Sequence, residues 1–89
     1  MLTPVYTRRF DKDVKRLKRQ GKNMEKLKLI ARSLVGEEPI DPIHRDHRLL
    51  GNWQGRRECH IESDWLLIYK IEKDQVIFER TGSHSELYR

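Results

Sequence analysis

The sequence contains a single cysteine, Cys59, which cannot form a disulfide bond within the chain. Its apolar runs are short, and the longest, Trp65 to Tyr69, covers five residues. A helix that spans a bilayer needs about 20 apolar residues. The first four residues, from Met1 to Pro4, also lack the basic and apolar regions of a signal peptide. We therefore expect a cytoplasmic protein that is neither stabilised by disulfides nor bound to a membrane.

Internal repeats, low-complexity tracts and the metal-binding motifs CxxC and HExxH are also absent from the sequence. With 89 residues, the chain has room for one domain, over residues 1–89. Folding of so short a chain buries only about 60–65% of its unfolded surface, which makes a large enclosed cofactor pocket implausible. We therefore expect no cofactor and no metal ion.

The charges divide unevenly between the two parts of the chain. Residues 1–35 hold 11 Lys and Arg residues against three Asp and Glu residues, whereas residues 36–89 hold eight against 11. A basic surface of this kind commonly binds nucleic acid or an acidic protein, because neutralised phosphates release their counterions. The alternative is a solvated helix face without a partner, and charge alone slightly favours that alternative.

Helical periodicity marks the basic part of the chain. Apolar residues recur at spacings of four and three in a first helix, at Phe10, Val14 and Leu17. Thr7 is the candidate N-cap of this helix. After a break at 20–22, a second helix is predicted to begin after Asn23 and to stop at Gly36, where glycine would supply a left-handed conformation. The two helices form a predicted αα-hairpin with a basic exterior.

Three later runs have the composition of strands, at 53–61, 65–71 and 76–81, and turn residues separate them. They predict an antiparallel meander, and Val5 and Tyr6 predict a further strand near the N-terminus. The sequence thus indicates an α+β fold. In this fold the N-terminal strand and the αα-hairpin pack on an antiparallel β-sheet, and the other face of the sheet remains free.

Four histidines lie in the C-terminal part of the chain: His44, His47, His60 and His84. The last three flank or end strands of the meander, so they can converge at one edge of the sheet, although sequence alone does not fix the register. Histidine exchanges protons near neutral pH, and Asp64 in a turn adds a base or a partner that orients an imidazole. Taken singly, each residue is more often incidental than catalytic, and only the set favours a site.

Metal-independent RNA cleavage is the reaction that several protonatable groups, cations and no cofactor suggest. A base removes the proton of a ribose 2′-OH, an acid protonates the departing 5′-oxygen, and a cation stabilises the phosphate. Arg80, Arg56 and Arg57 are candidate cations, and exposed surface charge is the simpler explanation for the last two. Tyr88 has the aromatic ring to stack on a base, with a frayed tail as the competing interpretation.

Four segments carry a family pattern: DHRLLGNW at 46–53, RECHI at 57–61, DWLLIY at 64–69 and RTGSHSELY at 80–88. In order and spacing they closely resemble the YafQ branch of the RelE/ParE toxin superfamily. The resemblance implies a RelE-like fold and the toxin of a type II toxin–antitoxin pair. Such a toxin is a ribosome-dependent, metal-independent endonuclease that cuts mRNA in the ribosomal A site.

The same resemblance implies partners and site residues. The expected partners are a cognate antitoxin, the ribosome and mRNA, with operator DNA contacted only through the antitoxin complex. Motif matching places the catalytic residues on His47, His60, Asp64 and His84. Tyr88 matches a closing aromatic residue that is usually Phe, whereas His44 has no counterpart. We expect His84 to act as general acid, His47 or Asp64 as base, and His60 with Arg80 to stabilise the phosphate.

Two alternative functions remain open at this point. The first is a ParE-like toxin that acts on DNA gyrase, a class that shares the fold and generally lacks this set of histidines and aspartate. The second is a non-catalytic module that binds RNA or the ribosome, for which the histidines would have no chemical role.

Overall fold

The computed structural model describes residues 1–88, and its two long helices follow the predicted pattern. Helix α1 covers Arg8–Arg19, and the Thr7 side chain caps it by accepting a hydrogen bond from the Phe10 amide. Helix α2 covers Met24–Val35, with Asn23 as its N-cap. Both helices bury one apolar stripe and expose most of their basic residues, as an amphipathic pair requires, whereas Arg16 is partly buried.

The end of α2 differs from the prediction in one detail. Gly36 has a right-handed conformation with φ of −78°, and Glu37 adopts the left-handed one with φ of 56°. The amide of Glu38 donates to the Ser33 carbonyl, and the amide of Glu37 donates to the Leu34 carbonyl. This is the Schellman pattern, which puts the left-handed residue one position after the cap. Gly36 is the cap itself, so the prediction was wrong by one residue.

Five strands form one sheet in the order β1-β5-β4-β3-β2. The strands are β1 Thr3–Tyr6, β2 His47–Arg48, β3 Arg57–Glu62, β4 Trp65–Glu72 and β5 Gln75–Gly82. The meander of β3, β4 and β5 is antiparallel, as predicted. Strand β1, in contrast, pairs with β5 in parallel. The sheet is therefore mixed. The αα-hairpin ends beside the start of β1, where the Leu2 amide donates to the Val35 carbonyl, and the crossover at 36–46 then leads to β2 at the other edge.

The first strand of the meander starts later than the sequence analysis predicted. Residues Gly51–Trp53 form a turn of 3-10 helix, and β3 begins only at Arg57. Gly51 and Gly55 both have positive φ, at 65° and 88°, which an extended strand does not tolerate. The segment 51–56 is consequently a loop that carries Trp53 over the sheet.

The main core lies between the αα-hairpin and one face of the sheet. Phe10, Leu17 and Ile30 of the helices pack with Leu67 and Phe78 of the strands. The opposite face is covered too, contrary to the prediction of a free face. Helix α3, His84–Leu87, folds back onto it and forms a second small cluster: Leu66, Ile68 and Leu87, with Leu49 and Trp53 packed against them. Among residues 1–88, no helix is long and apolar enough to cross a membrane.

Candidate active site

Three imidazoles form a row along the sheet face that α3 covers. Strand pairing places His47 opposite Glu58 and His60 opposite Leu66, so these side chains share that face. The ring centres of His47 and His60 are 6.2 Å apart, and those of His60 and His84 are 5.8 Å apart. The structure therefore brings together three histidines that come from β2, β3 and the start of α3.

Asp64 holds His84 at one end of this row. Its Oδ1 accepts hydrogen bonds from the His84 backbone amide at 3.0 Å and from ring Nδ1 at 2.8 Å. These two bonds, the backbone one first, keep the pKa of Asp64 below its usual value, so the carboxylate stays charged. With Nδ1 bound, Nε2 is the free nitrogen of a ring whose side chain is 53% exposed. The pair is arranged to present one oriented imidazole nitrogen to solvent.

Glu58 is the acidic group that the sequence analysis missed. It lies under the row, with only 6% of its side chain exposed, and its Oε1 is 3.3 Å from His60 Nε2 and 3.8 Å from His47 Nε2. The Tyr88 hydroxyl donates a hydrogen bond to the other carboxylate oxygen. Burial and this carboxylate both raise the pKa of Tyr88, so its hydroxyl remains a donor. Strand alternation could have indicated Glu58, because it shares its face with His60.

The second nitrogens of the His47 and His60 rings also have oxygen partners. His47 Nδ1 is 2.7 Å from the Arg45 carbonyl, and His60 Nδ1 is 3.4 Å from the Ser63 carbonyl. A carbonyl oxygen only accepts, so Nδ1 carries the proton in the contact that His47 makes. His44 was interpreted as crossover surface, but it is half-buried, and its Nδ1 lies 2.7 Å from the His60 carbonyl. It therefore supports the backbone of His60 from behind.

Tyr88 lies beside His84 at the end of the row. Its ring centre is 6.3 Å from that of His84, and it meets the Trp53 ring edge-on at 6.2 Å. The tail is thus packed at Tyr88, because the hydroxyl is anchored on Glu58 and Leu87 is buried beside it. The residue as a whole is 39% exposed, which leaves a surface on which a base can stack.

The three candidate cations are separated from the row: Arg56 binds Glu79, Arg57 binds Asp46, and Arg80 binds Asp13. Arg80 Nε and Nη2 donate to the carboxylate of Asp13 at 2.7 and 3.1 Å, and 11% of the Arg80 side chain is exposed. Asp13 also accepts from Arg16 and from the Thr81 amide. The hydrogen bonds that Arg80 donates to Asp13 raise the pKa of Arg80, so it is a permanent cation. Among its contacts within residues 1–88, none is with a histidine of the row.

The row also contains the ligand types that a metal ion requires. One ligand atom each from His47, Glu58 and His60 lies within 4.8 Å of the others. Two imidazoles and a carboxylate fit a transition metal such as zinc or copper, whereas the sequence analysis expected no metal. The same three groups are equally arranged for proton transfer, since Glu58 faces both rings.

Comparison with known proteins shows to which protein family this chain belongs. The pattern of a family described as the bacterial toxin of a type II toxin–antitoxin system, YafQ, matches residues 2–89. The chain belongs to the YafQ toxin family. The mRNA interferase toxin YafQ of Escherichia coli K12 is 40% identical over 84 residues, which cover 93% of this chain and 91% of the relative.

Solved structures of YafQ relatives have the same fold. The E. coli DinJ–YafQ complex contains a chain that is 38% identical, with a TM-score of 0.93 and full coverage of both chains. A metal-bound toxin from Helicobacter pylori is 39% identical, with a TM-score of 0.93, and covers 99% of this chain and all of that one. The predicted family and α+β fold are confirmed. The predicted enzyme class, an endoribonuclease, is the one that the names of the curated relatives give.

Proposed function

We propose that the chain is an mRNA endoribonuclease that cleaves in the ribosomal A site by acid–base catalysis, without a metal ion. The observation that carries this proposal is the row of three imidazoles with two carboxylates, Asp64 and Glu58, beside it. RNA cleavage by attack of a 2′-OH needs a proton acceptor, a proton donor and positive charge at the phosphate. The row offers one group for each task.

His84 is the general acid in this mechanism. The 5′-oxygen leaves as the 2′-oxygen bonds to phosphorus, and a proton from His84 Nε2 neutralises it. Asp64 is a positioning residue, because its single oxygen binds both the amide and Nδ1 of His84 and so fixes the direction of Nε2. The products are a 2′,3′-cyclic phosphate and a 5′-hydroxyl end.

His47 is the base, and Glu58 stabilises it. With Nδ1 protonated toward the Arg45 carbonyl, Nε2 has the lone pair that accepts the 2′-OH proton. The resulting imidazolium lies 3.8 Å from the Glu58 carboxylate, which stabilises its charge. Asp64, the other base that the sequence left open, is already bound to His84.

His60 and Arg80 supply positive charge in this proposal. Both nitrogens of His60 face oxygen acceptors, at 3.3 Å on Glu58 and 3.4 Å on Ser63, and this arrangement accommodates the protonated ring. Arg80 acts at longer range, because its guanidinium is already bound to Asp13. Tyr88 provides the ring on which a base of the mRNA stacks.

The basic exterior of the αα-hairpin supports the remaining partners. Beyond Arg8 and Arg9 at the start of α1, the two helices carry seven exposed cations: Lys12, Lys15, Lys18, Arg19, Lys26, Lys28 and Arg32. We propose that they bind ribosomal RNA and, in the inhibited state, an acidic segment of a cognate antitoxin, through which alone the toxin reaches operator DNA. The E. coli relative is found in complex with DinJ, which supports an antitoxin partner here. We propose that the two proteins meet in the cytoplasm.

Expression of wild-type chain and of His84→Ala in cells, followed by mapping of mRNA 5′ ends, tests the proposal. Wild type should produce cuts with codon periodicity, and loss of the general acid should lower cleavage by about 10²–10⁴-fold. The melting temperature should remain unchanged, because the His84 side chain is 53% exposed. Full toxicity of His84→Ala, or a DNA-damage response without cuts, would contradict the mechanism.

Asp64→Asn tests the positioning role against a matched control, Asp74→Asn. Both aspartates are exposed residues of tight turns, but Asp74 lies in the β4–β5 turn, away from the row. Misdirection of Nε2 should lower the cleavage rate about tenfold to hundredfold and change its pH profile, since the imidazole loses its charged partner. Asp74→Asn should cleave like wild type. Equal rates for the two variants would remove Asp64 from the mechanism.

A further inference from the structure

A second groove lies beside the second half of β5, between the start of α1 and the 3-10 turn that carries Trp53. It has a volume of about 460 Å³ and includes Arg9 of α1, Asn52 and Trp53 of the 3-10 turn, and Arg56 and Arg80. This volume is within the range of small-ligand sites, roughly 300–1,000 Å³. Apart from Arg80, its residues have no task in the mechanism proposed above.

The charges of this groove do not balance. Arg56 Nε is 3.1 Å from Glu79, and Arg80 is bound to Asp13, so each of these cations has a carboxylate partner. Arg9 has no ion-pair partner among residues 1–88, and its side chain is exposed at the start of α1. The groove therefore has one uncompensated guanidinium, a group that binds phosphate through two parallel hydrogen bonds.

Trp53 connects this groove with the histidine row. Its ring contacts Tyr88 edge-on at 6.2 Å, and Tyr88 in turn lies 6.3 Å from His84. The indole is only partly buried and lines the groove together with Arg9 and Arg56. Aromatic rings beside cations are the features that bind single-stranded nucleic acid without sequence preference.

We propose that this groove binds the nucleotide of the mRNA strand that neighbours the cleaved phosphodiester, with its base on Trp53 and its phosphate on Arg9. The inference rests on the proposed nuclease function, because an mRNA strand that is cleaved at the row must continue beyond it. The Tyr88–Trp53 contact makes a continuous aromatic path from His84 to the groove. An acidic peptide would use the cation but would have no reason to require the indole.

Binding of a fluorescent single-stranded hexaribonucleotide to the full chain tests this proposal, with His84→Ala as the background so that the probe stays intact. Arg9→Gln is compared with Arg8→Gln, since both residues are exposed, adjacent on α1 and equal in charge. Each phosphate contact on a single strand contributes about −0.7 to the slope of log K against log salt. Arg9→Gln should reduce the slope by about this amount, and Arg8→Gln should preserve it.

Replacement of the indole supplies a second test. Trp53→Leu should weaken RNA binding about fivefold to hundredfold, the range of one base stacked on an aromatic ring, whereas Trp53→Phe should retain most of the affinity. Thermal melting of each variant checks the fold, and Arg9→Gln decides the matter alone if Trp53→Leu does not fold. Polyglutamate peptide is the second probe, and it should be insensitive to Trp53→Leu.

Three outcomes would overturn the proposal. The first is an equal effect of Arg9→Gln and Arg8→Gln on the salt dependence of RNA binding. The second is an equal RNA affinity of wild type and of folded Trp53→Leu. The third is that Arg9→Gln loses polyglutamate binding while its RNA binding is unchanged. Cleavage of mRNA on ribosomes is measured in parallel, with the wild-type chain in which His84 is intact. Absence of cleavage would refute the proposed nuclease, whereas the binding data would still decide whether the groove is an RNA site.

Discussion

Asp13 is the residue whose removal should destabilise the fold most clearly. The carboxylate is buried in the middle of α1, and only 3% of its side chain is exposed. It accepts four hydrogen bonds: from Arg16 Nη1 at 2.8 Å, Arg80 Nε at 2.7 Å, Arg80 Nη2 at 3.1 Å and the Thr81 amide at 3.1 Å. These bonds join α1 to the end of β5, along the edge that β1 leaves free because it pairs with β5 only as far as Phe78.

The stability lost in Asp13→Ala follows from the groups that the change leaves without a hydrogen-bond partner. Arg80 would remain with 11% of its side chain exposed and no carboxylate, and the buried Thr81 amide would lose its acceptor. Removal of one partner of a buried ion pair costs about 3–5 kcal/mol. A domain of 89 residues has a free energy of unfolding of about 4–13 kcal/mol. The variant should therefore melt at least ~12 °C lower.

The pH dependence of this stabilisation has a definite sign. Burial alone would raise the pKa of Asp13, but hydrogen bonds from Arg80, Arg16 and Thr81 outweigh it and hold the pKa below its ordinary value of 3.8. A carboxyl group with a lowered pKa in the folded state stabilises the fold above its ordinary pKa. This contribution is lost as the pH falls through the lowered value. The difference in stability between wild type and Asp13→Asn should therefore shrink in acid.

Urea denaturation and thermal melting, followed by circular dichroism, measure both effects. Asp13→Asn keeps the shape and one acceptor oxygen, so it should lose less stability than Asp13→Ala. Asp11→Ala is the control, because Asp11 is exposed on the same helix. A loss below about 1 kcal/mol for Asp13→Ala, or a constant difference between wild type and Asp13→Asn across acidic pH, would refute the reasoning.

Two further predictions concern a thiol and a glycine. Burial raises the pKa of the Cys59 thiol to about 12, so the native protein should not react with a thiol reagent at about pH 8, and quantitative labelling before unfolding would contradict this burial. Gly82 has a φ of 156°, and a Cβ there would lie 2.7 Å from Arg16 Nη2. Gly82→Ala should therefore lower both the melting temperature and cleavage by displacing α3. Gly21 also has a positive φ, of 80°, so Gly21→Ala should destabilise the fold, but with no atom within 4 Å of its Cβ it should lower the melting temperature less and leave cleavage unchanged. Equal melting temperatures for the two alanine variants would exclude the predicted clash.

The sequence predicted most of the fold because local signals agreed with the tertiary structure. The N-caps Thr7 and Asn23 and the apolar stripes of the helices are short-range features, and they placed α1 and α2 correctly. The parallel pairing of β1 was not predictable in this way. It depends on where the αα-hairpin returns the chain, which is a property of the packed hairpin and not of the residues in β1.

The residues of the candidate site were predicted from the sequence motifs, but the contacts between them depend on the register of the strands. His47, His60, Asp64, His84 and Tyr88 do lie together. Their chemical roles remain predictions. Glu58 escaped the sequence analysis because a lone glutamate in a strand is normally solvated, and its burial depends on Tyr88 returning from the C-terminal end. The ion pair of Arg80 escaped it because Asp13 is 67 residues away in the chain.

Support for the site comes from the helices on the opposite side of the sheet. Arg16 of α1 lies 2.9 Å from Glu86, and Glu86 also accepts a hydrogen bond from the Ser83 amide in the capping box of α3. A four-residue helix is too short to be stable by itself, so its position depends on these anchors. Because His84 is the first residue of α3, the direction of its Nε2 depends on Arg16 as well as on Asp64. The helices therefore contribute twice: their exposed cations supply the binding surface, and their inward-facing charges fix the proposed general acid.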